Sequence, residues 1–470
     1  MKLGIFLLAA FFSWVDIPYV FADKVETQRE ALGQSPLQDL ESTEAVSYYQ
    51  NIKPIIDAHC VGCHHVNGQA PFALDTYAAV KSRSSWIAGV TAAKIMPPWG
   101  ANPIAGHELS YDTSLSDAKI QLIQDWVQAG SPAGDPSRPG PALLLPTPQL
   151  TGTDMTFQMK EAWTTVAGEE DEYRCFPVVV DAQDEFYVTG YKLEHDNASL
   201  VHHAFVYSFD PEYAPQVEAM ENSDDRYGYP CMVAPTTDEY AGIPPHTLAV
   251  SGLQGYEFTF PKGKGVLVKP GTTLIFQLHY SKRLMHVGHN DATHDTSRTR
   301  IHFSTEKKVE KPIELAYFVD LKWMEPDSMK IPAGEKDVSY SYKEYATQSM
   351  AFMMTKGNLN VDSGFFINGI FPRQHLLARG MKVWVERSSG VSEIIFDSID
   401  RYNFHFQSIF QYEKPIFVAK DDQLKLTCTW DNSAENQPIV DGVALAPIDV
   451  YWGEETKDEM CVATLMIFEP

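Results

Sequence analysis

A short motif near the start of the chain combines two cysteines with a histidine, in the order Cys60-Val61-Gly62-Cys63-His64. Two thiols at this spacing can add to the vinyl groups of a porphyrin, and the adjacent imidazole is then placed under the iron. A zinc knuckle and a thioredoxin-like redox pair are the alternatives, but zinc would need a second ligand pair nearby, and the next cysteine is Cys175. The motif therefore predicts covalently attached haem c.

The haem iron needs a ligand on its other face, which we expect from a later loop. Met96 is followed by two prolines that stiffen such a loop. A thioether ligand raises the reduction potential and suits electron transfer. His59, His65 and His107 are rival ligands, and a methionine in an apolar stretch can also be an ordinary core residue.

Three further histidines lie in runs of residues typical of β-strands. His202 and His203 are adjacent at the start of one apolar run, and His279 lies in a second run. Three imidazoles suit Cu(II) or Zn(II). Because neighbouring side chains on a strand point to opposite faces, both adjacent histidines reach one metal only if the backbone bends or twists there. Two buried histidines with ordinary polar partners are the alternative.

A second candidate set pairs His375 with Met460. An imidazole with a thioether suits a copper that cycles through Cu(I). Because Met460 and Cys461 are neighbours, one can point at a metal while the other forms a disulfide. Ordinary core residues are again the alternative.

Four cysteines remain after the haem motif, and they allow three pairings. Pairing neighbours in sequence closes the shortest loops, which favours Cys175 with Cys231 and Cys428 with Cys461. Such bonds are expected in an oxidising compartment.

The 470 residues carry 37 Lys and Arg against 62 Asp and Glu, a formal net charge of −25. This charge repels polyphosphate and anionic lipid, which argues against nucleic-acid binding. The apolar run from Leu3 to Val15 is too short to span a bilayer and predicts a signal peptide, residues 1–22, cleaved before Asp23. A membrane anchor is the alternative. We expect a periplasmic or secreted protein without a membrane span.

The spacing of apolar residues divides the remaining chain into parts. Residues 46–135 have helical stripes, with Ser116 as an N-cap, and predict a small all-α domain. Residues 136–150 are rich in proline and predict a stiff linker. Short β-type runs then predict two antiparallel β-sandwich, jelly-roll-like domains, at 151–325 and 326–470.

Both regions resemble known families. Residues 46–135, through Ala70-Pro71-Phe72 and Met96-Pro97-Pro98-Trp99, resemble the small cytochrome c domains fused in front of other periplasmic oxidoreductases. Residues 155–470 resemble the copper type II, ascorbate-dependent monooxygenases, the group that includes peptidylglycine α-hydroxylating monooxygenase and dopamine β-monooxygenase. The second resemblance is carried by Asp171-Glu172-Tyr173-Arg174-Cys175, Val201-His202-His203-Ala204, Gln277-Leu278-His279-Tyr280 and the stretch from Trp452 to Cys461.

The second resemblance implies two coppers on two β domains. One copper stores electrons and has three histidines, which would be His202, His203 and His279 here. The other copper binds O2 and hydroxylates a C–H bond, and it has two histidines one residue apart and a methionine.

The second of these sites departs from the family pattern. His375 and Met460 match, but Arg373 stands at the position of the other histidine, and a guanidinium cannot bind copper. His405 could supply the missing imidazole. The histidine-rich turn at 286–294, with His286, His289 and His294, is another candidate metal loop, and a solvated turn without a metal is the alternative.

We therefore expect an exported haem- and copper-containing oxidoreductase in which haem replaces ascorbate as the source of single electrons. Its partners would be an external electron donor, O2 and an unidentified small or peptide-like substrate. The alternative is a non-hydroxylating haem and copper protein, either an electron carrier or a copper-binding module, which Arg373 favours. One copper per haem would support the alternative, and two would support the enzyme.

Overall fold

The computed structural model shows a mostly β chain, with 36% of residues in strands and 18% in helices. Residues Val46–Pro470 form one compact unit. None of the helices in the described part is both long and apolar enough to cross a membrane. The predicted signal peptide lies outside the described residues. The structure describes residues 46–470 except 67–69, 71, 144–149, 151, 153, 170, 199, 232–234, 241–242, 252–256, 283–294, 405 and 441–442.

Most helical residues lie before the first strand. The predicted N-cap is confirmed, because the Ser116 hydroxyl accepts the backbone N–H of Lys119 at 3.4 Å. The α-helices are α1 (Lys53–His59), α2 (Tyr77–Ser82), α3 (Ser84–Ala92), α4 (Asp117–Gln128), α5 (Ala214–Glu221) and α6 (Met350–Thr355). Short π or 3-10 turns lie at Tyr48–Ile52, Pro211–Tyr213, Asp238–Tyr240, Leu321–Met324, Ala346–Gln348 and Ala434–Asn436.

The strands of the first half form two larger sheets, of six and five strands. The five-stranded sheet has the order β6-β3-β10-β5-β7, and its neighbouring strands are antiparallel. The strands are β1 (Met155–Gln158), β2 (Trp163–Thr164), β3 (Asp171–Val179), β4 (Phe186–His195), β5 (Val201–Phe209), β6 (Tyr229–Pro230), β7 (His246–Ser251), β8 (Glu257–Thr259), β9 (Lys264–Val268), β10 (Thr273–Ser281), β11 (Thr296–Ser297), β12 (Thr299–Glu306) and β13 (Lys311–Pro312).

The strands of the second half form two four-stranded sheets, in the orders β14-β23-β16-β19 and β15-β20-β17-β18. All their pairings are antiparallel. The strands are β14 (Glu314–Phe318), β15 (Val338–Tyr345), β16 (Gly364–Arg373), β17 (Ala378–Glu386), β18 (Ser392–Asp397), β19 (Phe410–Ala419), β20 (Gln423–Trp430), β21 (Ile439–Val440), β22 (Val443–Ala444) and β23 (Val462–Phe468).

The predicted fold class is wrong. We expected a small all-α cytochrome c domain followed by two antiparallel, jelly-roll-like β-sandwich domains. Instead, the four larger sheets stand in a propeller-like arrangement, and the described residues contain no evident all-α cytochrome c domain. The helices belong to the same compact unit as the sheets. An apolar stripe shows which face of a helix is buried but not which partner covers it. For this reason the helical stripes wrongly suggested a separate all-α domain.

A segment that follows α3 shows how the helical part joins the sheets. Ala101 is buried in the same core as the two four-stranded sheets. The ring of Trp99 packs edge-on against Phe410, with centroids 5.1 Å apart. Leu109 forms an antiparallel bridge with Tyr412, in β19. The helical part is therefore attached to the second half of the chain by main-chain and side-chain contacts.

Candidate metal centre

Two central strands of the five-stranded sheet carry three histidines. β5 and β10 are buried along their whole length. They run antiparallel, with His203 opposite His279 and Val201 opposite Tyr280. This register leaves His202 as the extra residue of a β-bulge. A bulge supplies the bend that lets adjacent side chains turn towards one point.

The three rings meet at their Nδ1 atoms. Nδ1 of His202 lies 3.1 Å from Nδ1 of His203 and 3.2 Å from that of His279, and the latter two are 3.4 Å apart. Nitrogens that bind one ion at about 2.0 Å lie roughly 3 to 3.5 Å apart. The three side chains are buried and form a cluster that could hold a metal ion. Both the spacing and the donor set fit Cu(II) or Zn(II).

Neighbouring side chains fix the orientation of these rings. Asp171 accepts a hydrogen bond from Nε2 of His279 at 2.9 Å, which leaves the Nδ1 lone pair for a metal. The Tyr173 ring stacks on His279 with centroids 4.0 Å apart, and Phe404 stacks on His202 at 4.6 Å. Burial lowers the pKa of His279, so its imidazole stays neutral, the form that binds a metal.

Replacing Asp171 with asparagine should weaken Cu(II) binding by about 10- to 100-fold, because His279 loses the carboxylate that orients its ring. Competition with a chelator of known affinity measures the change. Asp184→Asn, at an exposed position, is the control. Equal affinities for Asp171→Asn and the unaltered protein would contradict the orienting role.

A second set of candidate ligands lies just after β16. His375 and Met460 are both buried. Nδ1 of His375 donates to the backbone carbonyl of Asp458 at 3.0 Å, which puts this histidine beside the stretch that carries Met460. Burial, reinforced by the charge of Arg373, lowers the pKa of His375 to about 3.

Glu459 ties these two stretches together. Its fully buried carboxylate accepts the backbone N–H of His375 at 2.8 Å and of Leu377 at 2.7 Å, and the indole N–H of Trp430 at 2.8 Å. Burial raises the pKa of Glu459 to about 7, although these donors favour the charged form. Because it bonds the residues around His375 and precedes Met460, Glu459 is a positioning residue for the second set.

Replacing Glu459 with glutamine should lower the free energy of unfolding by about 1–3 kcal/mol, because the amide nitrogen cannot accept a backbone N–H and leaves a buried donor unsatisfied. Urea denaturation measures this loss. Glu435→Gln, at an exposed position, should leave stability unchanged within error. Equal stabilities of the two variants would show that the Glu459 bonds contribute little.

Arg373 lies close to both histidine sets. Its guanidinium lies over the Phe205 ring at 4.9 Å. Burial works against its charge, but the carboxyl of Glu454 nearby helps to keep the pKa of Arg373 raised. Its charge contributes to lowering the pKa of His203 and of His375, after burial as the main cause. A permanent cation at this place opposes the binding of a second copper.

Two other candidates cannot be compared with the structure. His405, the possible substitute ligand, lies outside the described residues, and so does the whole histidine-rich turn at 286–294. Their roles remain as predicted from the sequence.

The Cys-x-x-Cys-His motif directly follows α1. Cys60 is the C-terminal cap of this helix. Nδ1 of His64 donates to the backbone carbonyl of Phe72 at 3.0 Å, so Nε2 is the nitrogen available for an iron. Burial raises the pKa of the Cys60 thiol to about 12. The donor set and the fixed orientation of His64 fit a haem c.

Met96 lies between α3 and the segment that contacts the sheets. It is 37% exposed and lines a cavity of about 750 Å³ together with Trp99 and Arg401. His64 does not line this cavity. The structure therefore places Met96 at a cavity whose lining comes from both the helical part and the second half of the chain.

Two of the rival haem ligands are engaged elsewhere. Nδ1 of His59 bonds the carbonyl of Thr113 at 3.0 Å, and its Nε2 lies 2.9 Å from the ammonium of Lys119. Nε2 of His107 lies 2.9 Å from a carboxylate oxygen of Glu393. Met96 as the second haem ligand stays a prediction, which these contacts do not test.

Comparison with known proteins finds similarity to one family of copper enzymes. Residues 319–470 match the model of the copper type II ascorbate-dependent monooxygenase C-terminal domain. Dopamine beta-hydroxylase of Homo sapiens is 22% identical over 329 residues, which cover 67% of this chain and 49% of that protein. The Bos taurus dopamine beta-hydroxylase is also 22% identical over 329 residues, covering 67% of this chain and 50% of that protein. These matches support the copper type II ascorbate-dependent monooxygenase family for this chain.

The chain spans about half the length of the curated relatives it matches. Among solved structures, the major capsid protein P2 of bacteriophage PM2 is 7% identical, with a TM-score of 0.27, over 67% of this chain and 97% of that one. Such a low score supports no argument about fold or function.

The family supports copper as the metal of this copper monooxygenase-like chain, with the cluster of His202, His203 and His279 as a matching histidine-rich site. The predicted disulfides are confirmed as Cys175–Cys231 and Cys428–Cys461. Disulfides persist in oxidising compartments.

The sequence alone did not single out four side chains that lie around the candidate copper sites. They are Asp171, Phe404, Glu454 and Glu459. Three of them lie in stretches quoted for the family resemblance, so position in those stretches was an available signal. No such signal existed for Phe404, because its local sequence does not show that it stacks on His202, about two hundred residues away in the chain.

Proposed function

We propose that this chain is an exported haem- and copper-containing oxidoreductase, monooxygenase-like, in which haem c supplies electrons to copper. The observation that carries the proposal is the convergence of three buried Nδ1 atoms, from His202, His203 and His279. This donor set suits a copper that gains and loses single electrons. Similarity to this family supports the same metal.

The residues around the first copper would each have a definite task. His202, His203 and His279 would bind the ion through Nδ1, and Asp171 would hold the His279 ring in its tautomer. Copper would supply one-electron chemistry at this point. The surrounding rings of Tyr173 and Phe404 would keep water away from the histidines.

Cys60 and Cys63 would hold the haem through thioether bonds, and His64 and Met96 are the residues that would bind its iron. The hydrogen bond from His64 to the Phe72 carbonyl supports this assignment, because it presents Nε2 to the iron. A separate electron donor would reduce this group. O2 and a small or peptide-like substrate would be the other partners.

We also propose the layout expected from the sequence for the remaining parts. Residues 1–22 would be a signal peptide, 46–135 the haem-binding segment and 136–150 a linker. Residues 151–325 and 326–470 would carry the first and second copper sites. The two disulfides favour a periplasmic or secreted location.

A second candidate function is a non-hydroxylating haem and copper protein with a degenerate oxygen-binding site. The observation that favours it is Arg373, whose guanidinium lies over Phe205 and whose charge acts on His375. His375 and Met460 alone would offer too few ligands to fix a second ion.

Metal content tests the choice between these functions. Because the Arg373 cation opposes a second ion, we expect one tightly bound copper per haem in the unaltered protein, a result that would favour the second candidate function. Arg373→His should raise the ratio towards two, since an imidazole would replace the cation. Elemental analysis after dialysis, with haem measured by absorbance, gives the ratio. Two tight coppers in the unaltered protein would support the hydroxylase. No tight copper at all would refute both functions.

A further inference from the structure

Hydrogen bonds at two places join the helical part to the second half of the chain. Asn102 donates from its backbone N–H to the Asp397 carbonyl at 2.7 Å and from its side chain to the Ile399 carbonyl at 2.9 Å. Farther along, main-chain bonds extend the edge of the sheet beside β19. These are Ser110 N–H to the Gln411 carbonyl at 2.7 Å and Glu413 N–H to the Glu108 carbonyl at 2.9 Å.

Apolar and charged side chains reinforce this line. Ala101 is 4% exposed, and the Trp99 ring packs against Phe410 at 5.1 Å and Phe406 at 6.3 Å. His107 adds a contact with Glu393 at 2.9 Å. Trp99 is only three residues from Met96, so the position of this haem-ligand candidate is tied to the sheets.

The same stretch of the second half also reaches the copper histidines. The Phe404 ring stacks on His202 at 4.6 Å and meets His375 edge-on at 5.5 Å. The backbone N–H of Phe406 bonds the Asn403 carbonyl at 2.9 Å, which fixes the relation between Phe404 and Phe406. We call residues 404 and 406–410 the bridging segment.

We propose that the bridging segment holds the haem-bearing part at a fixed position against the His202, His203 and His279 site, so that electrons pass between them within one molecule. Phe406 and Phe410 would hold the haem-bearing part through their ring contacts with Trp99. Phe404 would hold the copper site through its stacking on His202. This inference rests on the haem and copper assignments of the proposed function.

The transfer is a balanced one-electron step. One electron would leave the haem that Cys60, Cys63 and His64 would hold, and it would reach the copper that the three histidines would hold. The haem would be oxidised and the copper reduced by one electron, and no bond or proton would change place. Electron tunnelling weakens steeply with distance and with gaps in packing, so undocking the two parts should slow it.

Two variants test the inference in the full chain with haem and copper bound. Ala101→Glu would bury an unpaired charge in the interface and should therefore undock it. Phe406→Ala would leave a gap in the bridging segment without removing a haem or copper ligand. Phe417→Ala, on β19 but partly exposed and away from Trp99, is the matched control.

The readout is the reoxidation of haem after a laser flash in the presence of a soluble ruthenium photoreductant. In the unaltered protein and in Phe417→Ala, we expect a first-order phase that is independent of protein concentration and absent without copper. Ala101→Glu and Phe406→Ala should slow it by an order of magnitude or more. Hydrogen exchange of residues 99–110 should increase in Ala101→Glu, which reports undocking separately.

Haem and copper contents measured beforehand separate the possible failures. A protein without haem or copper would refute the proposed function. If both are bound but the fast phase is missing, or is equally fast in both interface variants, the bridging role is wrong and the proposed function stands.

Discussion

Replacing Cys60 and Cys63 with serine is expected to give a protein that carries no haem at all. Serine hydroxyls do not form the thioether bonds that attach haem c, and His64 alone would have to hold the porphyrin. In the unaltered protein, the haem should stay with the polypeptide through denaturation and extraction with acid and organic solvent. Absorbance of the denatured chain measures it.

The control for this experiment separates haem attachment from folding. Replacing Ser82, which is exposed on α2, with alanine should leave the haem content unchanged. Circular dichroism of the cysteine variant should still show the β-sheet signal, because the sheets have cores of their own. Extraction of free haem from the unaltered protein would contradict the assignment.

The second large effect concerns copper. His279→Ala should abolish tight Cu(II) binding, since two nitrogens remain where three now lie 3.1 to 3.4 Å apart. The electron paramagnetic resonance signal with nitrogen hyperfine structure should then disappear. His302→Ala, on β12 and paired with Thr156 rather than the cluster, is the matched control. A signal that survives His279→Ala would refute this ligand set.

The pH dependence of copper binding follows from the burial of the histidine ligands. Burial lowers the pKa of His203 well below its usual range and also lowers that of His279. Protons therefore compete with copper only at a pH below the ordinary histidine pKa of about 6.5. Affinity should stay constant as the pH falls from neutral through about 6.5.

Part of the candidate copper site could be predicted from the sequence, and the reason is physical. Strand periodicity showed that His202 and His203 share one metal only if the backbone bends, and the β-bulge between β5 and β10 is such a bend. Neither the bulge nor the partner strand could be read from local sequence, because strand pairing depends on contacts distant in the chain. The resemblance to a family grouped the three histidines as one ligand set, whereas the strand pairing that brings them together appears only in the structure.

Other parts of the architecture could not be predicted from the sequence. Helical stripes predicted helices around Ser116, but the burial of Ala101 in a core of sheets needs the tertiary arrangement. The separate all-α domain that we expected was wrong for this reason. Arg373 was recognised as a misfit at a ligand position, whereas its contact with Phe205 appears only in three dimensions.

Anomalous scattering at the copper absorption edge, from crystals of the copper-loaded protein, locates the metal directly. We expect a strong peak between the Nδ1 atoms of His202, His203 and His279. Any peak beside His375 and Met460 should be weak or absent. A copper peak at another place, with none among the three histidines, would show that these histidines are not the copper site.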